Sequence, residues 1–323
     1  MNPDVFVFSF NAIAPMLFTC AVGYIAARIK KPSEETIGYI NKVCFSWLLS
    51  FHVFNSTMTV DFSAEFNMGL VVYFLAGIAG TVIAAFAVSG IVVKDRVRRA
   101  NYIIAAYRSS NIVFSLPMAT GLFGAAGIKP AAMLIPVTII TFNFLTVVIM
   151  VYFSNAENAR EKSFAREIRQ TLVDIVRNPL IIGSAAGILL SVCKIELPVF
   201  LRQSAAMIGS AGTPVSFLLL GMQIDFGKFR REFLPVFGGC MLRLIAVPGI
   251  LVPIMIFSGG FRGPELGALM VVFAAPSAVT NHVMSRIYRL DPDFTGQIVT
   301  MSTVLSMATM FVWVTLLRSC GYF

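Results

Sequence analysis

Residues 67–93 read NMGLVVYFLAGIAGTVIAAFAVSGIVV, a run that no charged side chain interrupts. A helix needs roughly 20 apolar residues to cross a hydrocarbon core about 30 Å thick. The segment therefore predicts a transmembrane helix. Outward from it the pattern repeats, with further apolar runs, none holding more than one charged residue, at 5–27, 36–58, 100–123 and 131–153, then at 180–193, 200–224, 233–257, 266–284 and 294–317. Ten spans account for most of the 323 residues, and the composition agrees: 57% are hydrophobic and 13% charged, against roughly 25% charged in a soluble domain. The first run follows Asp4 rather than a basic residue and is about twice the length of a signal-peptide core, so it is expected to stay as the first span.

The net charge of +9 does not predict a nucleic-acid partner, because the basic residues lie between apolar segments instead of on one soluble face. Their distribution sets an orientation. Seventeen Lys and Arg fall in alternate connections: Arg28, Lys30, Lys31; Lys94, Arg96, Arg98, Arg99; Arg160, Lys162, Arg166, Arg169, Arg177; Lys228, Arg230, Arg231; Arg286, Arg289. Four (Lys129, Lys194, Arg262, Arg318) fall on the other side. Basic connections stay cytoplasmic, which puts both termini on the non-cytoplasmic face of the cell inner (plasma) membrane.

An odd number of spans per half means that the second half enters the bilayer from the opposite side. The expected fold is an all-α membrane protein of ten transmembrane helices in two inverted five-helix repeats, residues 1–153 and 179–323, joined by a cytoplasmic connector over 154–178. In that connector Phe164, Ile168, Leu172 and Ile175 recur at helical spacing, the pattern of a surface-lying amphipathic helix.

Two spans contain polar clusters beside a proline. The fourth reads RRANYIIAAYRSSNIVFSLPMATGLFG and the ninth GALMVVFAAPSAVTNHVMSR. Proline removes a backbone hydrogen bond and clashes with the preceding turn, so breaks are expected just before Pro117 and just before Pro276, against the alternative of a simple kink. Broken helices in a bilayer mark protein-lined or wet cavities, and the new half-helix N-termini would present unpaired N–H groups to an anion. Asn111 and Ser115 near Pro117, and Ser277, Thr280 and Asn281 beside Pro276, are the candidate substrate contacts. Two readings stand for Arg108: a buried cation that selects charge, or a side chain snorkelling to the interface. His282 either contacts substrate or packs between helices. Lys42, Arg202 and Arg243 lie in spans without a broken helix beside them and read as snorkelling or paired. Asp and Glu are absent from every expected membrane core, the two histidines have no acid at ligand spacing, and the five cysteines have no paired spacing. No phosphate-binding GxxxxGK[ST] loop occurs. Neither cofactor, metal nor enzymatic activity is expected.

The segments AAPSAVTNHVMSR, GQIVTMSTVLSMATM, TPVSFLLLGMQID and AYRSSNIVFSLPMA closely resemble the ninth, tenth, seventh and fourth helices of the auxin efflux carrier family, and the short central connection is like that of its bacterial members. The resemblance implies two inverted repeats whose fourth and ninth helices cross at Pro117 and Pro276, with Asn111 and Asn281 nearby. It also implies a homodimer in which a transport domain slides against a scaffold of the first, second, sixth and seventh helices. Ser115 stands where glycine is usual in the family. The function expected is a secondary permease moving a small organic anion or carboxylate by alternating access; a channel, a solute sensor and a membrane-embedded enzyme are the competing readings.

Overall fold

The computed structural model describes residues 3–60, 67–153, 164–224, 233–288 and 290–323. Among them every regular element is a helix, and none is a strand. Helix α1 spans Pro3–Lys30; α2 (Glu34–Val43) and α3 (Leu49–Met58) are joined without a break by a π-helical turn, Cys44–Leu48. Then follow α4 (Met68–Val92), α5 (Arg96–Tyr107), α6 (Asn111–Phe123), α7 (Ala125–Phe153) and α8 (Phe164–Val176). The remainder comprises α9 (Pro179–Val192), α10 (Val199–Ser210), α11 (Gly212–Met222), α12 (Phe233–Met241), a second π-helical turn (Leu242–Ala246), α13 (Val247–Phe257), α14 (Gly263–Ala274), α15 (Thr280–Ile287) and α16 (Pro292–Ser319). Among the described residues six stretches are long and apolar enough to cross a bilayer: Pro3–Lys30, Met68–Val92, Ala125–Met150, Val199–Met222, Phe233–Phe257 and Pro292–Ser319.

Local signals fix the ends. Asn67, Asp95, Asn178 and Asp291 accept hydrogen bonds from the first free N–H groups of α4, α5, α9 and α16, the usual service of a short polar side chain at a helix start. The amphipathic helix expected in the connector is α8, which packs against α7 and α9 and buries Ile175. Residues 154–163 lie outside the described part, as do Arg160, Lys162, Lys228, Arg230, Arg231 and Arg289 of the charge pattern.

Two groups of helices face one another. In one, α1 lies along α11 and α3 against α9 and α10, at backbone contact: a Cβ at Gly221 would overlap the Cys20 carbonyl oxygen, and one at Gly23 that of Leu218. In the other, α5, α6 and α14 are enclosed by α4, α7, the α12–α13 segment and α16. Almost every residue of α5 from Ala100 onward and of α14 from Leu266 onward is buried, and the candidate site lies where these helices stop.

Candidate functional site

The site is built on two interrupted helices. α14 ends at Ala274, because Pro276 has no N–H to donate and forces the residue before it out of helical geometry; Ala275 is extended (φ −64°, ψ 152°). α5 ends at Tyr107 with Arg108 extended (φ −85°, ψ 98°). The two extended pieces pair antiparallel at Ser109 and Ser277. The Ser110 N–H donates to the Pro276 carbonyl at 2.8 Å, and the Ala278 N–H to the Arg108 carbonyl at 3.1 Å. This pairing satisfies backbone groups that the break would otherwise leave exposed to a non-aqueous interior. Asn281 reinforces it, its Nδ2 donating to Ser277 Oγ at 2.8 Å and to the Arg108 carbonyl at 3.4 Å.

The break in the fourth-span segment does not fall where the proline suggests. Pro117 lies inside α6, half-buried, well beyond the crossing, and it is no part of the crossing pair. Prolines at 15, 136 and 253 likewise sit inside continuous helices, since neighbouring helices can satisfy the carbonyl a proline frees. One strand of the crossing is imposed by its own proline; the other is held extended by bonding to the first, in a Ser-Ser stretch whose side chains favour non-helical backbone.

A cavity of ≈ 130 Å³ opens on the crossing, lined by residues 108–113 and 278–280 together with Thr138 and Asn143 of α7, Ser216 within α11 and Gln223 just past its end. The first turns of α6 and α15 border it; in α15 the Asn281 and His282 N–H groups already donate to the Ala278 and Val279 carbonyls, at 3.0 and 3.1 Å. It adjoins a wider cavity of ≈ 620 Å³ through Asn41, Leu220, Gln223 and Val279, and the wider one is bordered by Arg28, Lys31, His282 and Arg286. On the far side of the crossing the packing is tight and apolar: Phe114 meets Phe217 edge-on at 5.1 Å, and Ile13, Met16, Met118 and Met310 leave a space of only ≈ 10 Å³. Access to the crossing is therefore from the end that carries Arg28, Lys31 and Arg286.

A family model described as "Membrane transport protein" matches residues 8–314. The chain belongs to this membrane transport family, that of the auxin efflux carriers. A curated relative from Methanothermobacter thermautotrophicus, described as an uncharacterized transporter, is 22% identical over 316 residues, covering 96% of this chain and 98% of its own length. The protein is accordingly a multi-pass membrane transporter.

Within this transporter the sequence-selected residues separate. Arg108 is 7% exposed, and by the rise of a helix it lies some 18 Å along from Arg96; it does not snorkel. Its guanidinium donates to Thr146 Oγ1 at 2.8 Å and to Asn143 Oδ1 at 3.0 Å. Tyr107, at 2.8 Å, shares the same threonine. Asn111 and Thr280 line the smaller cavity. Asn111 Nδ2 reaches Thr138 Oγ1 at 3.4 Å, while its Oδ1, the Ser109 and Ser115 hydroxyls and Asn281 Oδ1 are buried without a protein partner. Thr280 lines the cavity, whereas Asn281 turns into the crossing. Pro276 and Ser277 are fully buried at its centre. His282 borders the wider cavity, with its Nδ1 2.8 Å from the Pro292 carbonyl; a carbonyl only accepts, so Nδ1 carries the proton.

Two sets of residues escaped the sequence reading. Thr138, Asn143 and Thr146 form a polar stripe on α7, and polar residues at near-helical spacing in an apolar span were the available signal. Arg243 is the other. The sequence, with no broken helix beside it, reads it as snorkelling or paired; it is 0% exposed and bonds the carbonyls of both broken helices. Lys42 and Arg202 are exposed, as expected.

Proposed function

We propose that this transporter is a secondary carrier of a small organic anion, a carboxylate in the simplest case, working by alternating access at the crossing. One observation carries the reading: a buried guanidinium, Arg108, borders the cavity and, among the described residues, hydrogen-bonds the neutral Thr146 and Asn143 alone. A cation so placed is costly in a membrane interior unless an anion compensates it. The first turns of α6 and α15 add partial positive charge on the same wall. Asn111 and Thr280 offer amide and hydroxyl groups for a carboxylate, Ser115 lying buried one turn further along α6 and off the cavity lining, and the basic border of the wider cavity raises the local concentration of anions.

The reading includes ten spans in two inverted five-helix repeats. The reciprocal bonding about Ser109 and Ser277, with interrupted segments fourth and ninth in order, supports it. Residues 1–153 and 179–323 are then the two repeats and 154–178 their connector. Both termini lie on the non-cytoplasmic side of the plasma membrane, so that the accessible cavity faces the cytoplasm.

Two experiments test these statements. Proteoliposomes carrying the purified protein should accumulate labelled succinate or malate with saturable kinetics, and excess unlabelled carboxylate should compete. Transport of choline without transport of either carboxylate, or flux that never saturates, would overturn the anion-carrier reading. For the orientation, Asn2→Cys in a variant lacking the native cysteines should react with an impermeant maleimide added to intact cells. Reaction only after the membrane is opened would reverse the assignment.

A further inference from the structure

Behind the crossing, on the side away from the cavity, lies a guanidinium that the transport reading does not use. Arg243 sits in the π-helical turn Leu242–Ala246, wholly buried. Its Nε donates to the Ala275 carbonyl at 2.9 Å; one terminal nitrogen donates to the carbonyls of Ala106 and Tyr107 at 2.9 and 3.2 Å, and the other to that of Val272. All four acceptors belong to the C-terminal ends of α5 and α14, the two helices that stop at the crossing. Each such end carries roughly half a negative charge, so together they amount to about one, and one fixed positive charge sits against them.

Carbonyl oxygens converging from the unwound C-terminal ends of half-helices are the groups that hold a coupling sodium ion in membrane carriers. Here the position is filled from within the chain, by a planar fork whose donors match the carbonyls.

We infer that Arg243 is a built-in counter-cation of the crossing, doing with a side chain what a bound alkali cation would otherwise do, so that the folded transporter neither needs nor binds Na⁺ or K⁺ there. The C-terminal ends are neutralised, and the N-terminal ends of α6 and α15 are left with their positive character for the substrate. Arg243 is thus a positioning residue that sets the sign of the site without touching what is carried. Its consequence for transport rests on the anion-carrier reading; the cation independence does not.

The experiment compares melting of the purified protein in NaCl, KCl and choline chloride at equal ionic strength, for wild type, Arg243→Lys and Arg243→Ala. The wild type is expected to melt at the same temperature in all three salts, since a bound ion would raise it. Arg243→Ala, which strands four buried carbonyls, should melt roughly 5–10 °C lower. Millimolar methylguanidinium should restore at least half of that loss and the neutral isostere methylurea none, while Arg243→Lys should keep most of the stability. Stabilisation of the wild type by Na⁺ or K⁺ over choline overturns the inference. Equal rescue by methylurea does so too, because it would make the role one of shape rather than charge. Should Arg243→Ala not fold, the wild-type salt comparison and Arg243→Lys decide, a lysine variant as unstable as alanine counting against a charge role. In proteoliposomes, succinate uptake should be equal in NaCl and choline chloride. Absence of uptake in every salt would remove the anion reading and leave the melting result standing on its own.

Discussion

Arg108→Gln is expected to weaken carboxylate binding about a hundredfold, the loss that follows when one partner of a buried charged contact is replaced by a neutral one. Glutamine can still reach toward Thr146 and Asn143, which hold the guanidinium now, so the helix ends should keep their places. The measurement is the concentration of succinate or malate giving half-maximal uptake, set beside the melting temperature of the same preparation. Half-saturation should rise by that factor while melting moves little. Arg108→Lys should fall between, since an ammonium keeps the charge but not the fork. An unchanged half-saturation in Arg108→Gln would remove this residue from the site.

The second large effect is structural. Gly221→Val should cost on the order of 3 kcal/mol or more, because its Cβ would meet the backbone of α1 at the Cys20 carbonyl and a backbone has no rotamer with which to yield. The variant is expected to give little monodisperse protein on size exclusion and a markedly lower melting temperature. Gly90→Val, at a position where an added Cβ meets nothing within 4 Å, is the matched control. Melting of Gly221→Val within a degree or two of the wild type would mean that α1 and α11 do not touch as described.

The helices of this protein were legible because bilayer thickness imposes a single strong requirement on sequence, and residues 67–93 or 233–257 satisfy it without help from any neighbour. The end of α14 was equally legible, since Pro276 acts on its own chain. The end of α5 was not. The local signal at Tyr107, two serines that only weaken a helix, is too slight to end one; the Ser109 stretch is extended because Pro276 and Ala278, far away in sequence, bond to it. Pro117, the visible landmark, misled because its lost hydrogen bond can be absorbed inside a packed bundle. Arg243 was hidden for the same reason as Ser109, its partners being carbonyls that only the tertiary fold assembles. Side chains that declare themselves by type alone, such as Arg108 and Asn111, were picked out, while the split between Thr280 at the cavity and Asn281 at the crossing depends on how the short helix α15 is rotated.

The π-helical turn that carries Arg243 bears on heredity as well as on packing. Such a turn holds one residue more than the α-helix around it, the form that a one-residue insertion would take. Deleting that residue would leave an unbroken apolar helix from Phe233 to Phe257, still long enough to span. It would also turn everything on one side of the deletion by about 100° relative to the other, carrying the guanidinium away from the carbonyls of Ala106, Tyr107, Val272 and Ala275. The extra residue and the arginine are useful only together. Among relatives the two should be gained and lost as a pair, a one-residue gap in this helix marking the chains in which another group, or a bound ion, faces the ends of the broken helices.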